Sequence, residues 1–192
     1  DDDRIATRAF ELGIDVDKRP THLCDDETPV TEVVREYLTR TESADLLILV
    51  QPTSPFLLPE HVLALIGMMS AAPEARSGQT VAPCPHNHHA WNQREIINGR
   101  VRFKFPLERA SAYNKQRKPK LYVSGNLIAV RPCAVLNGEG MFAEPSVAIE
   151  IQAPYDFDLD GPCDLGIAEC LLRSGAVRLP HMPVPVFPTV HN

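Results

Sequence analysis

Two aspartates one residue apart, Asp158 and Asp160 on either side of Leu159, are the side chains in this sequence best placed to do chemistry. Successive side chains on an extended segment alternate, so residues i and i+2 project to the same side. Carboxylates held that close repel each other, and a divalent cation between or beside them relieves the repulsion. Magnesium suits such an all-oxygen pair, above all where phosphates complete its shell. The same residues also fit a solvated acidic turn capping a helix that starts near Asp164.

Three other clusters carry usable groups. Cys84-Pro85-His86-Asn87-His88-His89 gathers a thiol and three imidazoles, the borderline ligands that zinc takes. No second ligand pair follows at finger spacing, and neighbours in a short loop rarely close a tetrahedron unaided. Lys115, Arg117, Lys118 and Lys120 make the stretch from Asn114 to Tyr122 a basic loop, able to meet an anion or simply to stay solvated. Gln51-Pro52-Thr53-Ser54 sets an amide and two hydroxyls directly after the apolar run 46–50.

The elements that must position these groups follow from periodicity. Five apolar residues at 46–50 describe a strand buried on both faces, which Pro52 and Pro55 stop just past its carboxyl end. Open α/β sheets place their ligands at that end. Asp2 or Asp3 caps a helix with Ile5, Ala6, Ala9 and Phe10 on one face, ended by Gly13. Pro29 suits a first helical position before Val30, Val33, Val34, Tyr37 and Leu38, and Pro59 opens a helix with Val62, Leu65, Ile66 and Met69 inward. Thr80–Cys84, Leu121–Val130 and the alternating Val147, Ile149 and Ile151 read as strands. Asn98-Gly99 predicts a tight hairpin over Arg94–Lys104, and a helix is expected from Asp164 to Arg173 before Gly175. Residues 180–192, rich in proline, read as an irregular tail.

Composition sets further bounds. At 192 residues and 44% hydrophobic content the chain is an ordinary domain able to bury a sizeable core. A net charge of −6 argues against a nucleic-acid surface, so an anionic nucleotide needs local cations or a metal. Five widely spaced cysteines without a Cys-x-x-Cys pair argue against a disulfide framework and for a reducing cytoplasm. No stretch of 18 uninterrupted apolar residues marks a membrane span.

Val50-Gln51-Pro52-Thr53-Ser54-Pro55 resembles the Leu-Gln-Pro-Thr-Ser-Pro strand end of the acylneuraminate cytidylyltransferase family, the enzymes that make CMP-sialic acid. Further likenesses come in order. Asp2-Asp3-Arg4-Ile5-Ala6 is similar to the family's Thr-Asp-Asp-x-x-Ile-Ala, and Arg19-Pro20 with Leu23 to its Arg-Pro-x-x-Leu. Asp158-Leu159-Asp160, then Asp164 and Ala168-Glu169, is similar to its Asp-Ile-Asp-Thr-Glu-x-Asp and Ala-Glu signature, with Gly161-Pro162 in place of Thr-Glu.

The resemblance implies a three-layer, Rossmann-like α/β mixed sheet of the nucleotide-diphospho-sugar transferase type over residues 1–179. It implies a β-hairpin dimerisation arm within 94–150 and a homodimer. It implies transfer of CMP from CTP, with Mg2+, to the anomeric hydroxyl of an acidic 2-keto sugar and release of pyrophosphate. In these terms Asp158 and Asp160 are the catalytic, metal-holding pair and Arg19 a nucleotide contact. Gln51, Ser54, His88, His89, Lys115 and Phe142 meet the acceptor sugar, Phe142 by reaching into a partner subunit's pocket. Two departures bear on the acceptor: Asn92 stands where many relatives carry Lys, and Lys115 where they carry Arg. An amide lacks the charge that attracts a carboxylate, and Lys pairs as a point charge instead of a fork. A related nonulosonate or a phosphonate is therefore an alternative acceptor. In the family a first strand and a Gly-rich basic loop precede the Asp-Asp pair, and these 192 residues contain neither. The sequence is thus expected to be a fragment, and a non-catalytic homologue is the further alternative.

Overall fold

The computed structural model describes residues 2–41, 44–112 and 114–182. The expected tail lies outside them from residue 183 on, as does the side chain of Lys115. Helix α1 (Asp3–Glu11) starts where the sequence predicts, Asp2 Oδ1 accepting the backbone N–H of Arg4 at 2.7 Å and of Ile5 at 3.3 Å. Its apolar face is not packed, and Phe10 is 79% exposed. Next come α2 (Val30–Arg40), β1 (Leu47–Leu49), α3 (Pro59–Ala71) and β2 (Ser77–Pro83). Pro29 sits at the cap of α2, one place before its expected position. The hairpin forms as β3 (Arg94–Ile97) and β4 (Arg100–Phe103), with Asn98 at φ 49° and Gly99 at φ 72°, the left-handed pair of a type I′ turn. Then follow α4 (Pro106–Ser111), β5 (Tyr122–Val130), α5 (Pro132–Leu136), β6 (Ser146–Glu150) and α6 (Pro162–Arg173).

Four strands build the central sheet in the order β1-β5-β2-β6. β5 runs antiparallel to both its neighbours while β2 and β6 are parallel, so β1, β2 and β6 point the same way. Strand alternation divides the apolar side chains between two helical layers. Leu47, Leu49, Ile128 and Val130 pack with Val34 of α2 and with Ala134 and Val135 of α5. On the other face Ile48, Leu127, Ala129 and Val147 pack with Leu65 and Met69 of α3. The result is the expected three-layer mixed sheet. Of the stretch 94–150, β5 and β6 belong to that sheet and α5 packs on it, while the β3–β4 hairpin forms a separate two-stranded sheet.

One irregularity holds the centre together. Between the pairs Gln79 with Ile128 and Val81 with Ser124, three residues of β5 stand opposite the single residue Thr80. The bulge leaves the N–H groups of Asn126 and Leu127 without ladder partners, and both donate to Thr80 Oγ1, at 2.8 and 2.9 Å. Thr80 is fully buried and offers its own hydroxyl to Asn126 Oδ1 at 3.1 Å.

Candidate active site

Strand direction decides which loops meet. The carboxyl ends of β1, β2 and β6 and the start of β5 share one edge of the sheet, Pro83 pairing with Tyr122 and Val81 with Glu150. The Gln51 turn, the His-rich loop, the basic loop and the segment carrying the aspartates therefore all leave from that edge. Distant stretches of sequence are joined there by the strand order.

Asp158 and Asp160 are exposed, while Leu159 between them packs into a cluster with Phe56, Ala168, Val177 and Leu179. That alternation turns both carboxylates outward, as the spacing predicts. The Leu159 N–H donates to Thr53 O at 2.9 Å, which stitches the aspartate segment to the Gln51 turn. Asp164, in the first turn of α6, accepts the N–H of Asp160 at 2.9 Å and of Gly161 at 2.7 Å. The capping reading of this acidic stretch thus belongs to Asp164, which fixes the Asp160 backbone and leaves the Asp160 carboxylate open. Gln51 is exposed, but Ser54 is only 7% exposed: its N–H closes the turn on Gln51 O at 3.0 Å and it faces inward. The expectation of an Oγ at the mouth of the crevice is corrected there.

From behind, the bulge reaches the same segment. Asn126 Nδ2 donates to Tyr155 O at 2.8 Å and to His61 Nδ1 at 3.1 Å. The Leu58 N–H also points at His61 Nδ1, at 3.4 Å, so this nitrogen accepts and the ring proton sits on Nε2. Burial lowers the His61 pKa below its ordinary 6.5. A depressed histidine contributes stability that is complete above pH 6.5 and is lost as pH falls through the folded-state value, because the unfolded chain takes the proton first. Wild-type protein is therefore expected to lose more urea resistance between pH 7.5 and 5.5 than His61→Gln, whose amide oxygen still accepts but does not titrate. Equal losses in the two proteins would remove His61 from the acid response.

The His-rich loop and the basic loop face each other across a cleft of about 690 Å³, lined by Cys84, His86, His89, Gln116, Lys118 and Lys120 among others. His89 is buried and both ring nitrogens are engaged, Nδ1 by the Trp91 N–H at 3.1 Å and Nε2 with Pro119 O at 3.1 Å. It therefore ties the two loops together, and where it lines the cleft both its ring nitrogens are already committed. His88 is exposed. Among the described residues no three His, Cys, Asp or Glu side chains group to hold a metal, which leaves the zinc reading of this loop without a ligand set. Lys120 and Tyr122 both hydrogen-bond Glu150 Oε2, at 2.8 and 2.9 Å, and lower the Glu150 pKa.

Arg19, Phe142 and Lys115 complete the set of expected residues. Arg19 donates to Leu23 O at 3.3 Å and lines a hollow along α2 with Asp17, Val33 and Tyr37. Phe142 is exposed, next to buried Met141, at the opposite edge of the sheet, where Ser77 Oγ reaches Ala143 O at 2.7 Å. Within one chain Phe142 does not join the site. Lys115 opens a short 3-10 turn at the start of the basic loop. Sequence reasoning did not single out Arg109, and it read Asn92 only as an uncharged replacement, not as a hub. Asn92 is 6% exposed, and its Oδ1 accepts from Arg109 at 2.6 Å and from Lys118 at 3.0 Å. A polar residue between the aromatic Trp91 and a strand was the available signal.

The chain thus folds as a mixed three-layer α/β sheet with its loops gathered at the carboxyl edge. A solved structure of CMP:2-keto-3-deoxy-manno-octonic acid synthetase complexed with CTP shares it, with a TM-score of 0.65 at 17% identity over 91% of this chain and 79% of that chain. No family model matches this chain, and no curated protein does.

Proposed function

We propose that this protein transfers CMP from CTP to the anomeric hydroxyl of an acidic 2-keto sugar and releases pyrophosphate. The observation that carries the reading is the outward-facing pair Asp158 and Asp160, stitched to the Gln51 turn through Leu159 N–H and Thr53 O at 2.9 Å. The fold shared with a CTP-bound synthetase supports the nucleotide. The motifs quoted above support sialic acid as acceptor, and the amide at position 92 supports the alternative of a related nonulosonate or a phosphonate.

The donor set fits magnesium, which binds through one or two carboxylates and completes its shell with phosphates and water. Asp158 and Asp160 would hold it, and its charge would offset that of the triphosphate and the leaving pyrophosphate. The protein's own part is positioning. Gln51 orients the acceptor hydroxyl in line with the α-phosphorus, Lys115 and the exposed His88 border the acceptor, and Arg19 meets the nucleotide. His89 locks the loops on which those groups stand. Phosphoryl transfer asks little more of side chains than placement and charge.

Purified full-length protein with CTP, Mg2+ and N-acetylneuraminate or 2-keto-3-deoxy-octonate is expected to release pyrophosphate with one of these sugars. CTP binding without release on any acidic sugar would move the assignment to another acceptor class. No CTP binding at all would favour the non-catalytic reading.

The hairpin arm supports a homodimer. Ile96, Val101 and Leu107 are 73, 64 and 81% exposed, an apolar surface that a second copy would cover. Sedimentation at micromolar concentration is expected to give a dimer that Ile96→Lys with Val101→Lys splits. A wild-type monomer ends this reading.

A further inference from the structure

We propose that Asn126 and His61 are positioning residues for the transfer: together they fix Tyr155 from behind and so keep Asp158 in place beside the Gln51 turn. The inference rests on the cytidylyl-transfer reading and deepens it. The aspartates ride on residues 151–161, a stretch without helix or strand between β6 and α6. Two turns fold its first half on itself, Tyr155 N–H on Gln152 O at 3.0 Å and Phe157 N–H on Pro154 O at 3.1 Å. Such a stretch holds a side chain in place only where the packed core reaches it. Asp160 is reached from α6, through Asp164. Asp158 is reached from the core, where Asn126 Nδ2 donates to Tyr155 O at 2.8 Å. The His61 ring stands edge-on to the Tyr155 ring, with centroids 5.9 Å apart at 82°. Two residues on, Phe157 meets Phe56 with centroids 5.7 Å apart, and Leu159 joins the same cluster.

The Asn126 amide is not there for the bulge. Thr80 Oγ1 by itself takes the freed N–H groups of Asn126 and Leu127, and its own proton has a second acceptor in Leu127 O at 3.3 Å. Asn126 is 4% exposed, and a buried amide weakens a core unless its hydrogen bonds are met. Its donors are met outside the sheet, one N–H on Tyr155 O and the other on His61 Nδ1 at 3.1 Å. His61 Nδ1 also faces the Leu58 N–H at 3.4 Å, which ties the ring to the start of α3. Removing the amide therefore leaves Thr80 and His61 each with another partner. Tyr155 O accepts no other hydrogen bond among the described residues, so the loss falls on the segment that carries the aspartates.

The test compares Asn126→Leu, His61→Leu and His61→Gln with wild type in the full-length protein. Two quantities are read: amide hydrogen exchange over residues 151–161, and pyrophosphate release from CTP and Mg2+ with whichever of N-acetylneuraminate or 2-keto-3-deoxy-octonate is turned over. Asn126→Leu, close in volume but without the donor, is expected to speed exchange across 155–160 about tenfold, as one lost hydrogen bond allows, while exchange in β2 and α6 stays as in wild type. Its kcat is expected to fall by about as much, and the Mg2+ concentration for half-maximal rate to rise. His61→Leu is expected to act in the same direction. His61→Gln, whose amide oxygen still accepts from Asn126, is expected to recover most of that loss. His61 is half-buried, so its two variants decide the matter if Asn126→Leu does not fold. Variants that only melt earlier, with wild-type exchange over 151–161 and wild-type kcat, overturn the positioning role and leave cytidylyl transfer standing. Faster exchange confined to the segment, in a protein that releases no pyrophosphate on any acidic sugar, upholds Asn126 and His61 as its anchors and removes the transfer reading.

Discussion

Asp160→Ala is expected to lower pyrophosphate release about a thousandfold while leaving urea resistance close to that of wild type. The Asp160 carboxylate is exposed, and no hydrogen bond of its own side chain holds the fold together among the described residues. What fixes the segment is backbone and apolar: Asp160 N–H on Asp164 Oδ2, Leu159 N–H on Thr53 O, and the Leu159 side chain against Phe56 and Ala168. None of these needs the Asp160 carboxyl. The rate loss follows because charge neutralisation of a triphosphate by a held metal is worth several kcal/mol, and about 4 kcal/mol corresponds to a thousandfold. Asp160→Asn keeps the shape and loses the charge, so it should fall nearly as far. Asp164→Ala would give a contrasting profile: a modest loss of stability, about 1 kcal/mol for a cap, with a smaller loss of rate. Rates within tenfold of wild type for both Asp160 variants would take the pair out of the chemistry.

What could be read from the sequence was whatever a local pattern encodes. The Asn98-Gly99 turn, the Asp2 cap and the alternation Asp158-Leu159-Asp160 each depend on neighbours within a few residues, and each appears in the structure, whereas the apolar run 46–50, expected as a strand buried on both faces, forms only the half-buried edge strand Leu47–Leu49 with Val50 exposed. α4 and α5, at 6 and 5 residues, are too short to show a helical period and went unread. Convergence was harder still. That Arg109, Lys118 and Asn92 share one oxygen depends on β5 returning antiparallel beside β2, which no local pattern encodes. Composition also misled in one direction. Three histidines beside a cysteine looked like ligands, yet His89 is spent on joining two loops, its nitrogens taken by Trp91 and Pro119. Ser54 shows the same limit, since the turn it closes is legible but the side it faces is not.

Gly125→Ala is expected to destabilise the protein by at least about 3 kcal/mol, or to prevent its folding. A Cβ added there would lie 2.5 Å from Thr80 Oγ1 and 2.7 Å from both the carbonyl carbon and oxygen of Thr80. Two of those three atoms are backbone, so no change of rotamer at Thr80 clears the space. The strands would have to part at the bulge, where Thr80 Oγ1 takes the N–H groups of Asn126 and Leu127. Parting them strands two buried donors, each costing about 1 to 3 kcal/mol. Thr80→Ala is therefore expected not to rescue Gly125→Ala: it removes the Oγ1 contact but keeps the backbone clash and gives up both hydrogen bonds. Rescue of the denaturation midpoint by that second change would show that the side chain alone was in the way. The damage should also reach the site, because Asn126 within the bulge holds Tyr155 O at 2.8 Å on the segment leading to Asp158. A Gly125→Ala protein that still folds at low temperature is thus expected to lose pyrophosphate release well below its melting point, as the aspartates drift from the Gln51 turn. Full activity in a folded variant would mean that the bulge carries the sheet but not the site.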